Sequence, residues 1–305
     1  MRGIVLGALL ALLGACASPT PQTDALTPEN SPTTSHVEGV PFIRQETNHC
    51  GPASLAMVMA HAGQPRPVAE LAAMMVTPGK AGSFQSDLVG AARREGMMAV
   101  VITGMPSLLA ELAAGHPVIV LHNLGPTWLP NWHYEVVWGH DLAEQIFRVH
   151  SGPKQALEVP MRKFERRWQG STHWGLVVLP PGQLSASGTE LEHATAAVGL
   201  ELAARPAAAR LAYAALLTRW PTSLPGMLGL ANTHSATGDH LRAAPALRRA
   251  VKIHPNSPVL WHNLSLAEGA QGDAQAARRA AAKAVNLVKD TGEEARYLSN
   301  LERWL

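Results

Sequence analysis

The run Gln45-Glu-Thr-Asn-His-Cys50-Gly-Pro-Ala-Ser54 combines residue types suited to thiol chemistry, with a glutamine five residues ahead of a cysteine. A thiol attacks a carbonyl as thiolate, so nucleophilic cysteines sit at helix N-termini, beside a histidine, or both. Cys50 is expected at such a terminus. Residues 50–61 are continuous in helix formers, Pro52 suits a first turn, and Gly63 follows as a stop. Unpaired backbone N–H groups and the positive end of the helix dipole favour an anion there. Gln45 closes the run 40–45, which has strand character, and its amide could donate to an oxyanion beside the thiol. The alternative is that Cys50 is a buried small hydrophobe. A histidine to pair with it, His133, heads the alternating run Trp132-His-Tyr-Glu-Val-Val-Trp-Gly-His140-Asp141, which reads as a strand ending in a turn.

A glutamine, then Cys-Gly-Pro-Ala-Ser opening a helix, then His-Tyr-x-Val-Val-x-Gly on a strand resembles the papain-like bacteriocin-processing peptidases. These are the double-glycine-leader peptidases, the thirty-ninth cysteine-peptidase family. The resemblance spans residues 37–181. It implies Cys50 as nucleophile, His133 as general base, Gln45 as oxyanion donor, and a preference for small residues such as glycine before the scissile bond. That family follows its histidine strand with one ending in Asp-Pro, whose aspartate orients the histidine. Here the matching run is Ile146-Phe-Arg-Val-His150-Ser151-Gly-Pro153, so Ser151, or less readily His150, takes the aspartate's place. A serine hydroxyl can accept from an imidazole N–H and fix its tautomer, with less stabilisation of the imidazolium than a carboxylate gives. Asp141 is the nearest carboxylate in sequence, but it falls in a turn. Trp128 and Trp132 flank the loop before His133 and are candidates to line a substrate cleft, or to anchor packing.

Positioning these residues requires helices at 50–61, 67–76, 84–95 and 107–114, followed by strands at 118–121, 133–138, 146–149 and 174–179. Helices first and an antiparallel sheet after is an α+β order, the arrangement of the papain-like fold. Met57, Met59, Met74, Met75, Met97 and Met98 read as gap-filling core. His122, His133, His140, His150 and His173 lack the spacing of a zinc site, so no metal is expected, and the thioester chemistry needs no cofactor.

Arg2 followed by the apolar run 4–15 reads as a secretory signal, too short to span a bilayer. Leu13-Gly-Ala-Cys16 resembles a bacterial lipobox, which implies cleavage after residue 15, lipids on Cys16 and a firm anchor, with the outer membrane's periplasmic leaflet favoured. Cys50 is then left without a disulfide partner, and an unpaired thiol in an oxidising compartment points to a use for it. Residues 16–36 are rich in Pro, Ser and Thr and read as a disordered tether. Removing Arg2 with the signal leaves 24 basic against 23 acidic residues. Neither that balance nor any basic, aromatic-interleaved cluster suggests nucleic acid.

Beyond a peptidase-like domain at 37–182, residues 183–305 are rich in alanine, leucine and arginine. A period of 34 relates Met227, Leu230, Gly238, Asp239, Ala243, Leu247, Ala250 and Pro255 to Trp261, Leu264, Gly272, Asp273, Ala277, Ala281, Ala284 and Lys289. These resemble tetratricopeptide repeats, with a degenerate repeat at 191–221 and a capping helix at 293–305; a plain helical bundle is the alternative. Such repeats form an all-α solenoid whose concave face holds a peptide or a partner protein. The expectation is therefore a lipid-anchored cysteine peptidase whose repeats recruit a protein. Because Ser151 replaces the aspartate, a peptide-binding scaffold without turnover and an acyl transferase using the same thioester are the alternatives. Export of a bacteriocin is disfavoured, since the sequence has no transmembrane bundle and no phosphate-binding Gly-x-x-x-x-Gly-Lys loop.

Overall fold

Runs rich in Val, Ile and Leu make the central sheet of the computed structural model, which describes residues 19–45, 48–75 and 82–304. Seven strands pair antiparallel: β1 (Thr34–His36), β2 (Met98–Thr103), β3 (Val118–Asn123), β4 (Trp132–Asp141), β5 (Ile146–Ser151), β6 (Lys154–Pro160) and β7 (Trp174–Leu179). Their order is β2-β7-β3-β4-β5-β6, with β1 added against the far end of β4. Successive side chains alternate between the two faces, and here both faces are buried. On one face Ala99, Ile119, Val136, Leu176 and Val178 meet α2 (Cys50–His61), α3 (Val68–Met74) and α4 (Gln85–Arg94). On the other, Val100, Val118, Val120, Val137, Phe147 and Val149 meet α5 (Met105–Ala113) and α6 (Met161–Trp168) through Leu108, Leu112, Phe164 and Trp168.

Besides β1, which falls in the stretch read as a tether, two strands and a helix absent from the sequence reading complete this unit. Met97 and Met98, read as core filling, lead into strand β2 beside β7. Strand β6 extends the sheet past β5, and α6 buries Met161, Phe164 and Trp168 while Arg162, Lys163 and Arg166 stay outside. Residues 40–45 form no strand, although the Gln45 N–H donates to the Gly152 carbonyl at 3.2 Å.

The N-terminal stretch also differs from a free tether. From Pro19 onward it lies on the domain, beginning with α1 (Pro21–Asp24). The buried Glu165 carboxylate accepts the Gln22 N–H at 3.1 Å and the Thr23 N–H at 2.7 Å, Gln22 Oε1 accepts from Met105 N, and Arg162 pairs with Asp24. Pro, Ser and Thr composition gives no sign of such docking, because it rests on backbone groups meeting one buried carboxylate. Cys16 and the apolar run before it lie outside the described residues.

Past β7 the chain is helical: α7 (Glu190–Leu202), α8 (Pro206–Arg219), α9 (Leu224–Ala236), α10 (His240–Ile253), α11 (Pro258–Ala270), α12 (Ala274–Leu287) and α13 (Ala295–Glu302). The 34-residue period has a direct structural meaning. Gly238 and Gly272 take positive φ, +74° and +85°, and the next residues, Asp239 and Asp273, cap α10 and α12 by accepting from Arg242 N and Ala276 N. Ala243, Leu247 and Ala250, with Ala277, Ala281 and Ala284, are buried where paired helices approach. The first pair, α7 and α8, is not separate from the sheet. Ala196, Ala197, Leu200, Ala209, Ala212 and Tyr213 belong to the same apolar cluster as β2, β3 and α5. The connector is fixed by the buried Glu111 carboxylate, which accepts from Ser185 Oγ, Ala186 N, and both Ser187 N and Ser187 Oγ. Among the described residues no helix is long and apolar enough to cross a membrane.

Candidate active site

Cys50 is the first residue of α2, which is buried from Gly51 through Met59. Its neighbours in the sheet are set by alternation along β4. Trp132 and Tyr134 belong to the α2 face, His133 and Glu135 to the other. Cys50, Leu121, Trp132 and Tyr134 line a cavity of about 470 Å³ closed by residues 82–85 and 170–172. Trp132 lies against Gly170, where an added Cβ would come within 3.5 Å of the indole. The Tyr134 hydroxyl donates to the Ser83 carbonyl at 3.2 Å. Burial raises the Tyr134 phenol well above its ordinary range, and the nearby Cys50 and Asp87 add to that. Trp128, the other aromatic expected at the cleft, is 81 % exposed and does not border this cavity.

His133, Glu135, Ser151, Gly152, Lys154, Glu158, Lys163 and Arg167 line a second cavity, of about 390 Å³, on the opposite face. The structure brings His133 and Ser151 together: Ser151 Oγ is 3.2 Å from His133 Nε2. It also adds a residue the sequence reading passed over. Ser151 Oγ donates to Glu135 Oε1 at 2.9 Å, and Glu135 is almost wholly buried. The signal was present as His-x-Glu, which puts both side chains on one strand face, but only the β4–β5 pairing adds Ser151 to them. Burial pushes the Glu135 carboxyl up; His122, His133 and the Ser151 hydroxyl outweigh that and hold it below the usual carboxylate range. His122, paired with His133 across β3 and β4, lies with Nδ1 3.2 Å from Glu135 Oε2. That approach is of ion-pair length yet off-line, so neither His122 nitrogen nor Glu135 Oε2 makes a hydrogen bond. Burial lowers the His133 pKa below the ordinary imidazole value; Glu135 opposes this, while His122 and Arg167 add to it.

Cys50 and His133 share no hydrogen bond among the described residues; each borders its own cavity. Gln45 lies between them in the fold. Its Oε1 accepts from Gly152 N at 2.9 Å, and its Nε2 reaches Ser54 Oγ at 3.3 Å and the Tyr134 carbonyl at 3.4 Å. The carboxamide thus fills the gap between β4 and the end of β5 as a peptide group would, with both N–H bonds long. His150 is engaged elsewhere, with Nε2 toward the Val40 carbonyl and Nδ1 accepting from Ala156 N. Asp141 accepts from Ala143 N and Glu144 N in the β4–β5 turn. Among the described residues no three His, Cys, Asp or Glu side chains are grouped to hold a metal ion.

On the repeats, Asn232, Ser235, His240, Asn263 and Leu266 border a groove of about 310 Å³ between α9 and α11. Asn263 Nδ2 donates to Asn232 Oδ1 at 2.7 Å across it.

Residues 37–175 match the Peptidase_C39 like family, somewhat less than half of the chain. No curated protein sequence matches. Among solved structures, the peptidase domain of Streptococcus ComA, a bi-functional ABC transporter involved in a quorum-sensing pathway, is 26 % identical, covering 47 % of this chain and 99 % of its own, with a TM-score of 0.40. A double-glycine-motif protease from an AMS/PCAT transporter, solved with the leader peptide, is 26 % identical over 47 % of this chain and 93 % of its own, at a TM-score of 0.38. The Sgt2 TPR domain from Aspergillus fumigatus is 22 % identical over 38 % of this chain and 76 % of its own, at 0.36. The N-terminal part, an antiparallel sheet with helices, has the papain-like fold of the matched family, and a helical region follows it.

Proposed function

We propose that this chain is a lipid-anchored cysteine peptidase of the bacterial cell envelope, facing the periplasm from the outer membrane and cleaving a peptide or protein through a Cys50 thioester. The observation that carries this reading is the setting of the thiol. Cys50 opens a buried helix and borders an aromatic-walled cavity within the range of volumes that ligand sites occupy. The family match over residues 37–175 supports a peptidase-type role. In the proposed reaction Cys50 Sγ attacks the carbonyl carbon, and His133 takes the thiol proton and passes it to the leaving amine. The N–H groups opening α2 hold the oxyanion, and Gln45 joins them by releasing Ser54 Oγ or the Tyr134 carbonyl. Ser151 orients His133, and water then frees the acyl group. Cys50 and His133 border separate cavities, so this reaction requires a rearrangement that carries imidazole and thiol to hydrogen-bond reach of one another.

The anchor would be Cys16, three residues ahead of Pro19, whose carbonyl is held by Gln169. At no more than about 3.5 Å per residue, the bilayer surface would then lie within roughly 10 Å of that bond. The groove of Asn232 and Asn263 is the surface proposed to take a protein partner.

One observation favours a second reading. With Cys50 and His133 not bonded to one another and both Gln45 N–H groups occupied, the domain would suit a scaffold that binds peptides without cleaving them. Iodoacetamide alkylation of Cys50 in the full-length protein, followed across pH beside His133→Ala, separates the two. Profiles that diverge, together with peptide products that vanish in Cys50→Ala, support the peptidase. Superimposable profiles and no products would overturn it in favour of the scaffold. Adducts with a labelled amine would instead identify acyl transfer.

A further inference from the structure

We propose that Glu135 supplies the negative charge of this site and acts on His133 through the Ser151 hydroxyl, which it holds so that the imidazole keeps its proton on Nε2. The inference rests on the reading of His133 as the base.

Hydrogen-bond bookkeeping determines the direction of each bond. An ionised carboxylate only accepts, and a serine hydroxyl has one hydrogen. With that hydrogen donated to Glu135 Oε1 at 2.9 Å, Ser151 Oγ has only lone pairs to offer His133 Nε2 at 3.2 Å. The contact is attractive only if Nε2 carries a proton. Nδ1 is then the unprotonated nitrogen, the one able to take a proton from a thiol. A direct aspartate would reach the same tautomer in one bond. Here a shorter, neutral side chain stands at that position, and a longer carboxylate two residues along β4 reaches round behind it.

The buried site supports ionisation of Glu135. His122 from β3, His133 on β4 and Ser151 from β5 act on it directly, and the cavity it borders is also lined by Lys154 and Glu158 from β6 and Lys163 and Arg167 from α6. Cations outnumber the single other carboxylate among them. Glu135 Oε2 makes no hydrogen bond, so the carboxylate keeps unspent acceptor capacity to meet positive charge arising on His133. Glu135 touches no reacting atom in this scheme and is a positioning residue.

The tautomer can be read without turnover, by 15N NMR of ring-labelled histidine in the full-length protein, with His133→Gln assigning the signal. Wild type is expected as Nε2–H. In Glu135→Gln the amide donates to Ser151, the hydroxyl turns its hydrogen toward the ring, and the signal moves to Nδ1–H. Ser151→Ala gives a mixture of both forms. Ser151→Asp, which places a carboxylate directly on Nε2, restores Nε2–H. If His133 keeps one unchanged tautomer in Glu135→Gln and Ser151→Ala, the relay is overturned and Glu135 is a structural partner of His122. In the peptidase assay the same two variants should lower kcat about 100-fold with KM little changed, and Ser151→Asp should recover most of the loss. Absence of any wild-type turnover would sink the peptidase reading while leaving the tautomer test to decide the relay.

Discussion

Two buried carboxylates on the same side of the sheet, Glu111 on α5 and Glu135 on β4, are treated in opposite ways. Glu111 is saturated: Oε1 accepts from Ser185 Oγ and from both N and Oγ of Ser187, and Oε2 accepts from Ala186 N and meets His116 Nδ1 at 2.7 Å. Glu135 has a single hydrogen bond, from Ser151, and one oxygen with none. Burial pushes both carboxyls up and their partners pull both down, Glu111 to about 2 through His116, Ser185 and Ser187. The same ionisation is thus reached by two routes. Saturation by five close partners makes a fastening with no acceptor capacity to spare. Partial satisfaction beside two imidazoles makes a group that responds when one of them is protonated.

The contrast is broken most forcefully at Glu111. Glu111→Ala leaves a cluster of buried donors unpaired and should cost about 3–5 kcal/mol in urea unfolding, whereas Glu135→Gln should cost under about 1.5 kcal/mol. Equal losses would erase the distinction. Acid provides a second test. Because the folded-state pKa of Glu111 is depressed, its stabilisation is present above the unfolded value near 4.5 and is lost as pH falls toward about 2. That interval corresponds to roughly 3 kcal/mol, and Glu111→Gln should flatten the stability curve across it.

A smaller effect separates the two serines. Ser187→Ala removes part of the Glu111 fastening and should lower stability by about 1 kcal/mol, while Ser151→Ala should change stability less and activity more. The smallest expected shift lies in the pH–rate profile. The His133 imidazole is held below its ordinary value, so the acid limb of kcat/KM should fall below pH 6.5, with the base neutral and competent above it. Glu135 raises that pKa, so Glu135→Gln should move the limb further toward acid; a move toward alkali would contradict the assigned neighbours.

Much of the fold could be read before any coordinates, and the reasons are local. The bounds of α2 follow from Pro52 in its first turn and Gly63 beyond its end, and β7 from an unbroken apolar run. The repeat register was visible because Gly238-Asp239 and Gly272-Asp273 each do two local jobs, a left-handed turn and a helix cap. What escaped depends on partners distant in sequence. Strand β2 reads as generic apolar sequence until β7 pairs with it. The docking of 19–36 depends on Glu165, more than a hundred residues away. Ser151 was identifiable as the residue in the aspartate's place, but the carboxylate behind it required the β4–β5 register. The separation of Cys50 from His133 follows from strand alternation acting on Trp132 and Tyr134, which a match of motifs does not report.

The first helical pair has a consequence for how the chain can be divided. Because α7 and α8 complete the apolar layer over β2 and β3, a cut at residue 182 would strip Ala196, Ala197, Leu200 and Tyr213 from the sheet they cover. A fragment ending at 182 should therefore be sticky and short-lived. A cut after Arg219 is no cleaner, because Gly226 and Gly229 of α9 seat on Leu216 and Tyr213 of α8, so the helical array continues the sheet's core rather than hanging from it.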